Sequence, residues 1–392
     1  MKLSSSLTAA AVVSLSALGS VKAQQTQPAC SSIYTRPEIL SLTPSQWSNI
    51  SGVLGAMQRD GWFAWFAYLH NQWFGQIHGN SQFFPFHRRF VQDWESVGQR
   101  YSGSFVQPYW DEMRDYRAPA SSQVLTSNWV GGNGQGANNC VVNGNQGGWT
   151  MTFPNNHCFP RSFGNNGNPT SWYSPEYIQS IIQRDTTMAQ LRPDIEYSLH
   201  GVVHINIGGD MAQGYSPNDW IFMLHHANLD RLWWQWQTSN NRMWVMDGSN
   251  YDNTQITLNT NLAYYNTPVR NVMQLGYGSM CYQYASNPLT RRDLVSSIEA
   301  TLADTLPKGV LSTWFPDTAK VKGPVVDMVR PPSAVVTATP GLTRGSGIPY
   351  PAQMTEAWIQ MHHYNKTDVN RVNNDARNFV IAMNSAGYKS PV

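Results

Sequence analysis

Ser198-Leu199-His200-Gly201-Val202-Val203-His204 and, after a Gly-rich turn, Ser216-Pro217-Asn218-Asp219-Trp220-Ile221-Phe222-Met223-Leu224-His225-His226-Ala227-Asn228-Leu229-Asp230-Arg231-Leu232-Trp233 decide how this chain is read. His200 and His204 are four apart, which on a helix stacks two imidazoles on one face. A lone pair of that kind is more often surface or cap chemistry than a ligand set. The rest of the sequence shifts the balance. A third imidazole, His225 or His226, follows on a separate helical stretch, and spacing does not choose between them. His70, His78 and His87 lie on a second pair of apolar segments. Imidazole suits copper, zinc, iron or nickel, and two sets of three imidazoles point to two metal ions.

The chain has 392 residues and easily buries a core. Residues 1–23 carry the marks of a secretory signal: Lys2, the apolar stretch Leu7 to Leu18, and the small-residue cleavage pattern Val21-Lys22-Ala23. They hold two lysines and no acid, so the formal charge of +2 falls to 0 in the mature chain. No basic patch argues for nucleic acid, and no later run is long and apolar enough to span a bilayer. Charged residues make up 13%, well below the roughly 25% of an average soluble protein, which suits secretion. Four cysteines in an oxidising compartment allow three pairings. Cys140 with Cys158 and Cys30 with Cys281 are favoured over metal ligation, since no Cys-x-x-Cys occurs. Asn49-Ile50-Ser51 and Asn365-Lys366-Thr367 are glycosylation sequons, the basis for expecting a glycoprotein.

Thr43-Pro44-Ser45-Gln46 is a capping box, and Trp47, Ile50, Leu54 and Met57 follow with helical period. Asp60 is placed to cap a helix from Gly61 to about Gln72, with His78 in an aromatic loop beyond it. Phe84 to Phe90 opens the next helix. Ser127 to Gly167, rich in Gly and Asn, reads as a long ordered loop. Arg192 to Ile205 should be helical, with Pro193 near its start, and Ser216 should cap a helix to about Gln237. Strand candidates are confined to short segments such as Gln255 to Leu258. Leu294, Ile298 and Leu302 suggest a helix, and Pro331 to Pro351 a linker. Ala352 to His363 and Asp368 to Ser385 read as helical. His362 and His363 are adjacent and read as a solvated pair. With helical pattern at both ends, and with the dibasic pair Arg291-Arg292 inside a predicted helix, the C-terminal part is not expected to be a removable inhibitor.

In order, Phe84-Pro85-Phe86-His87-Arg88-Arg89-Phe90, Pro108-Tyr109-Trp110-Asp111, His200 with His204, Asp219 to Trp233, and Tyr282-x-Tyr284 make up a specific combination. The chain resembles the type 3 copper proteins (tyrosinases, catechol oxidases and haemocyanins), and most of all the short secreted fungal polyphenol oxidases. The similarity runs from Arg36-Pro37-Glu38 to Tyr284. It implies a mainly α fold, with a central four-helix bundle holding a dicopper site, long loops and few short strands. It also implies a catalytic core over 24–285 and a partly helical C-terminal extension over 286–392, packed on or tethered to that core. The resemblance assigns His70, His78 and His87 to the first copper and His200, His204 and His226 to the second, with His225 outside the ligand set. Glu196, four residues before His200, falls where the family places a water-holding Glu. A solvated Glu in a first helical turn fits the residue equally well.

Three positions depart from the pattern. Trp220 stands where Pro is usual. No Cys lies in Trp73 to Ile77 to modify His78. Gly201 stands where many true tyrosinases have Asn. The resemblance implies a secreted enzyme that uses O2 as co-substrate. It would oxidise o-diphenols (catechols) to o-quinones, with weaker ortho-hydroxylation of monophenols and o-aminophenols as further candidate substrates. Gly201 is expected to open space beside the metal and to leave the Glu196 water poorly held, favouring catechols. The alternative from another class is a haemocyanin-like O2-binding protein with little turnover. A glycan-binding protein with a Trp-rich surface is the third reading, disfavoured because most of the sixteen Trp fall at helical positions or in the motifs above.

Overall fold

The structure, a computed structural model, describes residues 27–285, 291–320 and 346–392, without the side chains of 291–297. The stretch read as a signal, the side chain of Leu294 and most of the 331–351 segment lie outside the described residues. Helices dominate: α1 Pro44–Arg59, α2 Trp62–Ile77, α3 Phe83–Tyr101, α4 Pro175–Arg184, α5 Met188–Ile195, α6 Gly201–Ile207, α7 Ile221–Thr238, α8 Arg291–Thr305, α9 Lys308–Trp314, α10 Pro316–Lys320, α11 Glu356–Met361 and α12 Lys366–Ser385. Four short strands are also present among the described residues: β1 Tyr34–Arg36, β2 Thr150–Met151, β3 His157–Cys158 and β4 Tyr282–Tyr284.

Local chemistry accounts for most boundaries. Thr43 and Gln46 form the expected reciprocal cap of α1, worth about 1 kcal/mol, and the helix buries Ile50, Val53, Leu54 and Met57. Asp60 does not cap α2. It ends α1, its carboxylate accepts from the Tyr101 hydroxyl, and Gly61 at φ 82° turns the chain into α2. That helix runs on to Ile77, so His78 is its last capping residue rather than part of a loop.

The stretch before His204 also differs from expectation. Helix α5 starts four residues before Arg192, under a Thr187–Gln190 capping box, and Pro193 sits inside it. Proline removes one backbone donor from the ladder, and the helix widens at once into a π turn over Glu196–His200 before α6. Gly208 ends α6 at φ 64°, where a Cβ would lie 2.0 Å from the Ser162 carbonyl. Ser216 lies in a preceding 3-10 turn and does not cap α7. The Asp219 carboxylate instead accepts from the Ile221 N–H at 2.9 Å and is held by Arg161. Gln255 to Leu258 forms no strand, and Gln255 makes only an isolated bridge to Ser249.

Helices α2, α3, α5–α6 and α7 form the central bundle. Behind it, β1 pairs in parallel with β4, Tyr34 opposite Tyr282, and Cys30–Cys281 fastens the same edge. Cys140–Cys158 staples the Gly/Asn-rich loop, so both favoured pairings are present. Asp230, on α7, accepts hydrogen bonds from the hydroxyls of Tyr282 (2.6 Å) and Tyr284 (2.5 Å). It pairs with Arg88 and, at 3.7 Å, with Arg36, whose other partner is Glu95 at 2.8 Å. Removing one member would strand a buried charge, at about 3–5 kcal/mol. No helix among the described residues is long and apolar enough to cross a membrane.

Candidate dinuclear metal centre

Five of the bundle's histidines have one ring nitrogen committed to a backbone carbonyl. Nδ1 faces the carbonyl of Gly214 for His70 (2.7 Å), Phe74 for His78 (3.0 Å), Phe83 for His87 (2.7 Å), Glu196 for His200 (3.3 Å) and Met211 for His204 (2.6 Å). A carbonyl only accepts, so the proton sits on Nδ1 and Nε2 keeps its lone pair. Three of these carbonyls lie four residues earlier on the same helix. Local helical geometry therefore sets the tautomer.

The free nitrogens converge in two groups, His70 with His78 and His87, and His200 with His204, His225 and His226. Within each group the ligand atoms lie inside 4.8 Å of one another. All seven rings are buried. The His87 and His226 rings stack at 4.2 Å, which brings the two groups face to face. Burial holds the imidazoles neutral, pulling His70 down to about 4 and His225 to about 3, and the others well below the usual histidine range.

This arrangement calls for cations. The Nε2 atoms of His70 and His87 stand 3.4 Å apart with neither holding a proton to share. Nε2 of His200, His204 and His225 and both nitrogens of His226 are buried without a partner. Orphaned buried acceptors are costly. An all-imidazole set without an anionic ligand suits copper better than a hard cation.

The structure brings His225 and His226 into one group, and the two differ in what fixes them. His225 Nδ1 meets Glu112 Oε1 at 2.5 Å, and Glu112 Oε2 accepts from Asn228 at 2.9 Å. Glu112 is fully buried, and burial pushes its carboxyl well above the usual range. His226 lacks such a tie and faces the first group.

Glu196 is buried, not solvated. Its Oε1 accepts from the Gly79 N–H and the Tyr364 hydroxyl, each at 2.8 Å, and its Oε2 from Arg192 at 3.0 Å. Burial raises its carboxyl, partly offset by Arg192. The space beside Gly201 is filled, contrary to expectation. A Cβ there would come 2.4 Å from Met354 Sδ and 3.1 Å from Trp358 Nε1.

These neighbours belong to residues 346–392, which roof the histidines. Trp358 lies 5.1 Å from the His204 ring. His362 lies 5.1 Å from His78 and is 5% exposed, so it is not a solvated residue. Glu112, Trp358, His362 and Tyr364 are the site residues that sequence reasoning missed. The signal for two of them was available, because Trp358 and His362 are four apart and share a helical face.

Residues 59–239 match the family model described as the common central domain of tyrosinase. The chain is 31% identical to the tyrosinase-like protein phomQ2 of Diaporthe leptostromiformis, over 62% of its own length and 67% of that protein. It is 30% identical to the tyrosinase ustQ of Aspergillus flavus, over 66% and 81%. Among solved structures it is similar to a mutant polyphenol oxidase from Thermothelomyces thermophila. That match has a TM-score of 0.56 at 21% identity and covers 66% of this chain and 91% of that one, a likeness of fold.

Proposed function

Because the chain belongs to the tyrosinase family of type 3 copper proteins, we propose that it is a secreted oxidase that passes electrons from catechols to O2 and releases o-quinones. On this reading His70, His78 and His87 hold one copper and His200, His204 and His226 the other. The observation that carries it is the pair of facing, buried, neutral imidazole groups with orphaned Nε2 atoms. Two bound coppers would supply the two-electron redox capacity. The chain's own residues fix the imidazole tautomers through backbone carbonyls, keep water out, and hold the two groups at stacking distance. His225 is a positioning residue, anchored by Glu112.

The preference for catechols over monophenols rests on Glu196. A monophenol must lose a proton whose pKa is about 10 before its ring is attacked, and base assistance is typically worth roughly 10²–10⁴-fold. Three of the roughly four acceptor sites of the Glu196 carboxylate are taken by Gly79, Tyr364 and Arg192, which leaves it little capacity to organise a water for that step. Secretion rests on residues 1–23 and on two disulfides, which persist in oxidising compartments.

Oxygen uptake on a catechol and on its matching monophenol, with copper measured in the same sample, tests the proposal. Two coppers per chain and faster catechol turnover are expected. His87→Ala or His204→Ala should lose copper and turnover together. Full copper and full activity in either variant would defeat the ligand assignment.

A further inference from the structure

His362 comes from outside the bundle and is nevertheless built like its metal-facing histidines. Its Nδ1 meets the Trp358 carbonyl at 3.0 Å, four residues earlier on the chain. His78 on Phe74, His87 on Phe83 and His200 on Glu196 repeat the same i to i−4 geometry. The consequence is the same too: the proton is fixed on Nδ1, and Nε2 presents a lone pair. That Nε2 is buried and has no partner.

The surroundings explain where this lone pair is aimed. The His362 ring packs on Trp358 at 4.0 Å, Phe74 at 4.5 Å and Tyr364 at 4.7 Å, yet neither the Trp358 Nε1–H nor the Tyr364 hydroxyl, which donates to Glu196, bonds its Nε2. It meets His78 edge-on at 5.1 Å, the same spacing that His78 keeps to His70 and to His87. The His200 ring lies 6.5 Å away. His362 thus stands beside the first group on the side roofed by residues 346–392, outside the set of mutually close nitrogens.

We propose that His362 is a seventh imidazole of the dicopper centre, a displaceable ligand for the copper held by His70, His78 and His87. The proposal rests on the dicopper reading above. A buried nitrogen acceptor with no donor is satisfied by a cation, and a fourth neutral imidazole suits copper as the first three do. Because its helix α11 belongs to a segment separate from the bundle, His362 leaves with that segment, whereas the other six cannot move without unfolding the core. It therefore occupies a coordination position that an exogenous ligand must win from it.

The test uses the full mature chain loaded with copper and oxidised, with azide as the probe, read by its charge-transfer absorption. His362→Phe keeps a ring in the roof and removes the nitrogen, and His362→Ala removes both. The proposal requires azide to bind at least tenfold more tightly in both variants, and copper held by His70, His78 and His87 to pass to a chelator sooner in both. If His362→Ala alone gains affinity, the residue is only a cover and the proposal fails. Unchanged affinity in both variants, with two coppers in each, overturns it as well while leaving the dicopper reading intact. A wild-type chain that takes up no copper overturns both.

Discussion

Acid should unfold the copper-free protein far sooner than it unfolds the loaded one. Eight histidines (70, 78, 87, 200, 204, 225, 226 and 362) are buried with values pushed below the usual 6.5, chiefly by desolvation. Below pH 6.5 the unfolded chain takes up protons that the folded chain refuses. Stability from these groups is complete above 6.5 and is lost as pH falls, at about 1.4 kcal/mol per residue per pH unit. Buried carboxyls act the other way. Burial raises Glu38 to about 7 and also raises Glu112 and Asp185, so the fold gains protons at these sites as pH drops. Burial also raises Asp115, Glu176, Asp194, Glu196, Asp210 and Glu299, so eight losses against nine gains leave at most about 7 kcal/mol between pH 6.5 and 5.5, against a whole stability of about 5–15 kcal/mol for a typical domain. Near-UV circular dichroism, which the many buried tryptophans make sensitive, should report cooperative loss of structure between about pH 6 and 5. Bound copper stabilises the native state by mass action and should move the midpoint down. A copper-free protein that stays native at pH 4.5, or a midpoint that ignores copper, would refute the reasoning.

Three substitutions probe the wall of the site. Gly201→Asn should push Met354 and Trp358 off the histidines, lower stability by about 1–3 kcal/mol through overpacking, and raise the monophenol-to-catechol rate ratio. A flat ratio at unchanged copper content would remove Gly201 as a control of substrate choice. Tyr364→Phe withdraws one donor from Glu196 and should raise monophenol hydroxylation about tenfold or more relative to catechol oxidation. Equal change on both substrates would mean that the Tyr364 hydroxyl does not restrain Glu196. Glu112→Gln weakens the anchor of His225 and should reduce copper affinity at the second group about 10–100-fold in a chelator competition. Unaltered competition would reduce the Glu112–His225 pair to packing.

Much of the bundle is legible because its determinants are local. The Thr43–Gln46 box, the helical recurrence to Met57 and the histidine spacings need no tertiary knowledge. Cysteine count and placement leave three pairings open and favour the two that form. What escaped depends on distant partners. Pro193 suggests a helix start, yet the Thr187 cap and packing of Leu191 and Ile195 carry the helix through it. Gln255 to Leu258 has strand composition but pairs only through an isolated bridge from Gln255 to Ser249. His362 and His363 look alike in sequence. Only the landing of α11 on Phe74, His78 and His204 buries the first, while the second turns outward at φ 53°. Gly201 read as open space because Met354 and Trp358 lie more than 150 positions away.

The roof also has a kinetic meaning. Residues 346–392 are seated by Arg371 on Asp194, Arg184 on Asp375 and Tyr364 on Glu196, and α12 buries Ala376, Phe379, Val380 and Met383. If a phenol enters only when this segment lifts, it must select the open minority of molecules. If closing is favoured by about 3 kcal/mol, roughly 1% of molecules are open, and apparent substrate affinity falls about a hundredfold with no change in the chemistry of an open site. The mark of such a gate is a variant such as Trp358→Ala in which KM drops while kcat stays constant. A kcat that rises with KM unchanged would place the roof's influence on the reaction itself.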